Sequence, residues 1–260
     1  MKISKPLVSI LVINFNNSKY IEECINSLKS QTYNNIEIIF YDDNSKDNSL
    51  KIIRRFKNIK IISNRSQTKF GSLNQINGFK KSFKMSKGDI IFLLDSDDFF
   101  KKNKVQKIVN HFLNNKTKKI VFDFPIIKKR TKERFVENKI NLFKTYWGYI
   151  HPTSCISFRR GYLKKLLKRI SNDKFTDIWM DLRILLYSKY ENEYNIVNEN
   201  LTFYRQFDGN VSSKFSKFSK SWWKRREQAH EYFLSFTKKN NIEVSKNIYF
   251  YITKLINNFL

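Results

Sequence analysis

The sequence predicts an α/β fold, a mostly parallel, doubly wound sheet flanked by helices, and three observations carry that expectation. Short apolar runs rich in β-branched residues, Leu7 to Ile13, Ile36 to Tyr41 and Asp89 to Leu94, read as strands covered on both faces. Segments of helical periodicity alternate with them, which favours right-handed crossovers between parallel neighbours. Each run also ends in polar or acidic residues: Asn14-Phe15-Asn16-Asn17, Asp42-Asp43-Asn44-Ser45 and Asp95-Ser96-Asp97-Asp98. Such sheets bind ligands outside the carboxyl ends of their strands, so these turns mark the expected crevice.

The remaining elements follow in order. Lys19 to Ser30 sets Ile21, Cys24, Ile25 and Leu28 at helical spacing, with Glu22 and Glu23 in the first turn, where the helix dipole favours acid. Ser49 to Phe56 reads as a second helix through Leu50, Ile53 and Phe56, and Lys60 to Ser63 as a short third strand. The polar stretch Asn64 to Asn77 holds a single Gly71 and leads into a helix through Phe79 and Phe83 towards Met85. The strand from Asp89 then delivers Asp95, Asp97 and Asp98 to the sheet edge. Three carboxylates in four residues repel one another, and such a group makes a good seat for a hard divalent cation. A solvated acidic turn that caps the next helix is the competing reading.

Composition narrows the classes. The 260 residues suit one large α/β domain or a domain with an appendage. Fifty Lys and Arg against 23 acidic residues give +27, which calls for an anionic partner: a nucleotide-bearing substrate, an anionic membrane surface or nucleic acid. Two distant cysteines, Cys24 and Cys155, indicate neither a disulfide framework nor a cysteine zinc site, which suits a reducing compartment. No apolar run approaches the roughly 18 residues of a membrane span, and the N-terminus lacks a cleavage site, so a cytoplasmic location is expected. No glycine occurs from Asn14 to Tyr20 and no GxxxxGK[ST] is present, which excludes the dinucleotide fingerprint and the P-loop. Side-chain carboxylates and a metal are left to recognise a nucleotide.

The motifs VSILVINFNN, FYDDNSKDNS and GDIIFLLDSDDFF resemble the first-strand, acidic-turn and DXD motifs of the inverting family 2 glycosyltransferases with the GT-A, Rossmann-like fold. HPTSCISFRRGYL is similar to that family's acceptor-side strand and helix, FTDIWMDLRIL to its helix carrying the catalytic base, and LTFYRQFDGNVS to the segment that closes the site. Order and spacing agree over about residues 7 to 212. The resemblance implies that Asp43 contacts the nucleotide base, usually uracil, with Asn14 and Phe15 lining that pocket. It also implies that Asp95 faces the ribose, that Asp97 binds Mg2+ or Mn2+ on the diphosphate, and that Asp177, six residues before Arg183, is the base. The implied activity is transfer of a sugar from a nucleotide donor, UDP-linked in the reading favoured here, to a glycan or lipid-linked acceptor in surface polysaccharide or glycoconjugate synthesis. Thr176 and Phe207 depart from the family's usual Glu and His.

Without the family, a carboxylate within reach of an acceptor hydroxyl contributes on the order of 10²–10⁴ in rate. Helical spacing expects Asp177 and Asp181 on one face, which makes Asp181 the reserve candidate. His151 is the one histidine worth testing, Arg205 and Lys69 are candidate phosphate partners, and Trp147, Trp222 and Trp223 either stack on sugars or belong to the core. Residues 1–213 are expected to form the transferase domain, with a nucleotide half to about residue 100 and an acceptor half after it. Residues 214–260 are expected to form a basic, aromatic helical extension. Lys101 to Lys144 contains 14 basic and 3 acidic residues, including KKRTKER, and Lys214 to Leu260 contains 10 and 3. A helix from Lys214 to Glu231 is expected to set Phe215, Phe218, Trp222 and Trp223 against an anionic membrane, with Lys217, Lys220, Lys224, Arg225 and Arg226 beside them. The competing classes are a nucleotide-binding but inactive relative and a nucleic-acid-binding protein. The latter lacks any RRM, KH, zinc-finger or helix-turn-helix signature, so no nucleic acid is expected.

Overall fold

A computed structural model describes residues 5–136, 147–170, 174–207 and 215–260. Its first half is a βαβ series: β1 (Val8–Asn14), α1 (Ile21–Lys29), β2 (Ile36–Asp42), α2 (Ser49–Ile53), β3 (Ile59–Ser63), α3 (Gly71–Met85) and β4 (Ile90–Asp95). After a two-residue β5 (Phe99–Phe100) come α4 (Lys104–Asn114), β6 (Ile120–Lys129), β7 (Lys132–Phe135), β8 (Ile156–Arg159), α5 (Arg160–Arg169), α6 (Met180–Tyr190) and β9 (Tyr194–Arg205). The chain finishes with α7 (Lys220–Lys239) and α8 (Ile248–Phe259).

One sheet runs in the order β3-β2-β1-β4-β8-β6-β9-β5, with β7 hairpinned onto β6. The four strands from β3 to β4 are parallel, as the apolar runs predict, while β8 is antiparallel to both of its neighbours. The parallel register places Asn14 beside Asp42, and Ile13 beside Asp95, at one edge. At the other end, β4 enters so close to β1 that a Cβ on Gly88 would lie 2.5 Å from the Ser9 nitrogen, so only glycine fits there.

Alternation along the strands divides the core into two layers. Ile10, Val12, Phe40, Phe92 and Leu94 pack against Cys24, Ile25 and Leu28 of α1 and Val105, Ile108 and Phe112 of α4. Leu11, Ile13, Ile39, Ile91 and Leu93 face the other way, against Phe79 of α3, Leu163 and Leu166 of α5, and α6. Ala229, Tyr232, Phe233 and Phe236 of α7 belong to that second layer. α7 is therefore part of the main core.

α7 begins at Lys220, with Ser219 as N-cap, and differs from the membrane-facing helix expected from Lys214; Lys214 itself lies outside the described residues. Trp223 and Arg225 of the expected lipid face are packed inward, because Arg225 lies between the Trp179 and Phe215 rings, 4.1 Å from each. Arg226 stacks on Trp222 at 4.4 Å. The outward apolar residues lie mainly on α8, where Ile248, Tyr251, Leu255 and Phe259 are exposed. No helix among the described residues is long and apolar enough to cross a membrane.

Candidate active site

The ends of β1, β2 and β4 meet around Asn14. Its amide donates to Asp42 Oδ1 at 2.8 Å and to Ser45 Oγ at 3.0 Å, and its carbonyl oxygen accepts from Ser96 Oγ at 2.8 Å. Asn14 is buried and ties the three turns together. Phe15, next to it, is 45% exposed. Asp43 is held from below: Oδ1 accepts from Asn64 Nδ2 at 2.9 Å and Oδ2 from Gln67 Nε2 at 2.8 Å. The segment between β3 and α3 thus fixes the orientation of the residue expected at the base.

The acids after β4 form a compact turn in which the Asp98 amide donates to the Asp95 carbonyl at 3.0 Å. Burial, then the Asp97 charge, pushes the Asp95 carboxyl up to about 7, with Gln75 Nε2 opposing from 2.8 Å. Burial pushes Asp97 up to about 6 against the pull of Arg205. Asp98 is raised by burial and by both neighbouring acids. Ionised oxygens crowded in this way fit a hard cation, whose charge relieves their repulsion. Among the described residues no three His, Cys, Asp or Glu side chains form a group that could hold a metal by themselves, so a cation at Asp97 would need ligands from a bound substrate or solvent.

Asp98 is structural. Its Oδ2 accepts from Ser154 Oγ at 2.6 Å and its Oδ1 from the Arg205 amide at 2.8 Å. Ser154 Oγ also accepts from the Asp95 amide at 3.1 Å, so one hydroxyl braces both ends of the turn. Behind it sits a fully buried ion pair, Lys104 Nζ to Asp123 Oδ2 at 2.7 Å, completed by bonds from Lys104 to the Ser154 carbonyl at 2.7 Å and to Thr202 Oγ1 at 2.5 Å. His151 is buried with Nδ1 2.8 Å from the Asp123 carbonyl, which makes it part of this scaffold.

Asp177 lies in the loop before α6, so it does not share a helical face with Asp181, which sits in the first turn. The loop is held by Arg183, which is fully buried and donates Nη2 to the Phe175 carbonyl at 2.5 Å and Nη1 to the Ile170 carbonyl at 3.4 Å. α7 holds it too: Arg225 Nε donates to the Asp177 carbonyl at 2.8 Å, and Gln228 Nε2 to Asp177 Oδ2 at 3.2 Å. Asp181 carries a carboxyl raised by burial to about 6, and its charge contributes to raising Asp95. Of the two acids, Asp181 is the one electrostatically linked to the turn after β4.

Arg205, at the end of β9, donates Nε to the Asp97 carbonyl at 2.7 Å and stacks on Tyr20 at 4.4 Å. Residues 208–212 of the closing segment lie outside the described residues. Trp147 and Trp223 are core residues, and Lys69 sits 5.2 Å over the Phe70 ring. Sequence reasoning missed Ser154, Lys104, Asp123, Gln75, Arg225 and Gln228, because each acts through a partner distant in the chain.

A family model described as Glycosyl transferase family 2 matches residues 9–171. A glycosyltransferase of Nostoc sp. is 28% identical over 215 residues, covering 76% of this chain and 64% of that protein. A glycosyltransferase of Haemophilus influenzae is 28% identical over 260 residues, covering 98% of this chain and 97% of that one. Residues 1–349 of S. aureus TarS, solved in complex with UDP, match with a TM-score of 0.61 at 15% identity over 85% of this chain and 64% of that one. The mannosyltransferase PcManGT from Pyrobaculum calidifontis, in complex with GDP-Man and Mn2+, matches with a TM-score of 0.56 at 14% identity over 98% and 70%.

Proposed function

This chain belongs to glycosyl transferase family 2 and has the GT-A fold, and from that premise we propose that it transfers a sugar from a UDP-linked donor to a glycan or lipid-linked acceptor with inversion, in surface polysaccharide or glycoconjugate synthesis. The observation that carries this reading is the convergence of Asp43, Asp95 and Asp97 at the carboxyl edge of β2 and β4, joined through Asn14 and Ser96. The structures of TarS with UDP and of PcManGT with Mn2+ support the choice of donor and metal.

In this reading Asp43 accepts from the base, Phe15 packs on it, Asn14 holds the pocket's wall and Asp95 accepts from the ribose. Asp97 would hold Mg2+ or Mn2+, and the chemistry such a cation would supply is neutralisation of the charge that develops on the diphosphate leaving group. Asp177 takes the proton from the acceptor hydroxyl while that oxygen attacks the anomeric carbon from the face opposite the leaving group. Gln228 and Arg225 fix the carboxylate's position. A second reading gives the proton to Asp181, on the strength of its electrostatic link to Asp95 and its carboxyl poised at about 6. Nucleotide sugars are cytoplasmic substrates, and the exposed apolar side of α8 is suited to peripheral attachment at a membrane's inner face.

The test is nucleotide release from a panel of UDP-, GDP- and TDP-sugars, with and without Mn2+. Release from a UDP-sugar that depends on the metal supports the proposal. Metal-dependent UDP binding without release from any donor points to an inactive relative, and no nucleotide binding overturns the donor assignment.

A further inference from the structure

A second basin opens beside the Asp97 turn, and apart from Arg205, Gln206 and Phe207 of the closing segment its lining has no role above. The β6-β7 hairpin, the N-terminal end of α1 and the end of β9 enclose a cleft of about 1170 Å³. Six cations line it, Lys19, Lys129, Arg130, Lys132, Arg134 and Arg205, against one acid, Glu133. Arg205 joins the cleft to the site, because the same side chain donates to the Asp97 carbonyl at 2.7 Å.

The hairpin's charges are arranged at a cost. Lys129 and Lys132 are directly opposed across β6 and β7, a position in which like charges destabilise the pair. Arg130 stands between them in the left-handed backbone region, with φ at 55°, where a side chain as large as arginine is uncommon. Two cations beside the hairpin, Lys128 and Arg205, both pair with Glu23. Lys129, Arg130 and Lys132 have no carboxylate partner among the described residues. Three unpaired cations within one hairpin turn match an anion with several charges close together. A phosphate or diphosphate has that density. A polyuronate, with one carboxylate per sugar, does not.

We propose that the β6-β7 cleft binds the phosphate of a phosphate-bearing acceptor, either a lipid diphosphate or a soluble phosphate polymer, and holds its sugar or hydroxyl towards the Asp97 turn. The proposal rests on the glycosyl transfer reading only for the word acceptor; binding of phosphate in the cleft can be measured apart from turnover.

The full chain is titrated with short-chain polyphosphate and with phosphatidylcholine vesicles containing a prenyl diphosphate, at about 0.15 M salt. Undoped vesicles, a polyuronate, a random single-stranded oligonucleotide and UDP with Mn2+ serve as comparisons. The variant is K129Q/R130Q/K132Q, and K164Q/K165Q/K168Q, on the exposed side of α5, makes the same charge change elsewhere. The expected result is that one phosphate probe loses about tenfold or more in affinity in the hairpin variant only, while UDP with Mn2+ binds unchanged. The hairpin variant should also melt no lower than the wild type, since its cross-strand repulsion is gone. Which probe responds separates a lipid from a soluble acceptor. The proposal is overturned if neither phosphate probe binds, if the α5 variant loses as much, or if the polyuronate or the oligonucleotide binds as tightly as the phosphate probes. It is also overturned if UDP affinity falls in parallel, which would assign the cleft to the donor diphosphate. Absence of UDP binding in the wild type, with the phosphate result intact, would sink the donor reading and leave this one standing.

Discussion

Gln228 reaches from α7 to place its Nε2 3.2 Å from Asp177 Oδ2, so the acid expected to accept the proton is held by a residue fifty-one positions later in the chain. Gln228→Leu should lower kcat on the order of tenfold and leave UDP affinity unchanged, because the contact orients a group that acts in the transition state. Asp177→Asn should cost about 10²–10⁴ in turnover. Steady-state kinetics with calorimetric UDP titration checks both, and a deeper loss in Asp181→Asn than in Asp177→Asn would move the proton to Asp181.

Asp97→Asn should remove metal-dependent UDP binding without unfolding the protein. Since the Asp97 carboxyl is pushed up to about 6, protons compete with the cation, and wild-type affinity for UDP with Mn2+ should weaken as the pH falls through about 6. Titrations between pH 5 and 8 read this, and a flat profile would count against Asp97 as the ligand.

At neutral and higher pH, Asp95 is expected to make the metal-free protein less stable. Its folded-state value of about 7 lies above the ordinary 3.8, so its contribution favours folding below about pH 4 and is lost as the pH rises to about 7. Asp95→Asn should therefore be more stable than the wild type at pH 8, on the order of 1–3 kcal/mol, with the gap closing towards pH 4. Urea denaturation of the metal-free proteins at several pH values tests the sign.

Lys104→Met should cost about 3–5 kcal/mol, because it leaves Asp123 charged and buried without its partner. Adding Asp123→Leu should restore much of that loss, which chemical denaturation of the single and double variants would show.

The parallel half of the sheet was legible because its strands are continuous apolar runs, and the edge acids because they end those runs. The six-residue spacing from Asp177 to Arg183 was legible as a motif, and the structure gives its reason: Arg183 anchors the loop by two backbone carbonyls. Lys104 was not legible. It lies among Lys101, Lys102 and Lys107, and nothing local marks the one that turns inward to Asp123. Asn14 reads as a pocket residue in sequence, yet its buried amide is engaged by three residues of the two neighbouring turns. The run Trp222 to Arg226 reads as surface by charge, but Arg225 is buried by flat aromatic rings that take its guanidinium, an arrangement that depends on Trp179 and Phe215 arriving from elsewhere.

The place of Ala229, Tyr232, Phe233 and Phe236 in the inner layer also sets an order of events as the chain leaves the ribosome. The strands and helices that shape the nucleotide crevice are complete by residue 95, while the layer beneath α6 stays open until α7 has emerged. A chain stopped at Ser213 should therefore bind a hydrophobic dye that the full chain does not. In such a chain Asp177 lacks the Gln228 contact, so the acid proposed as the base is left unplaced until α7 has been made.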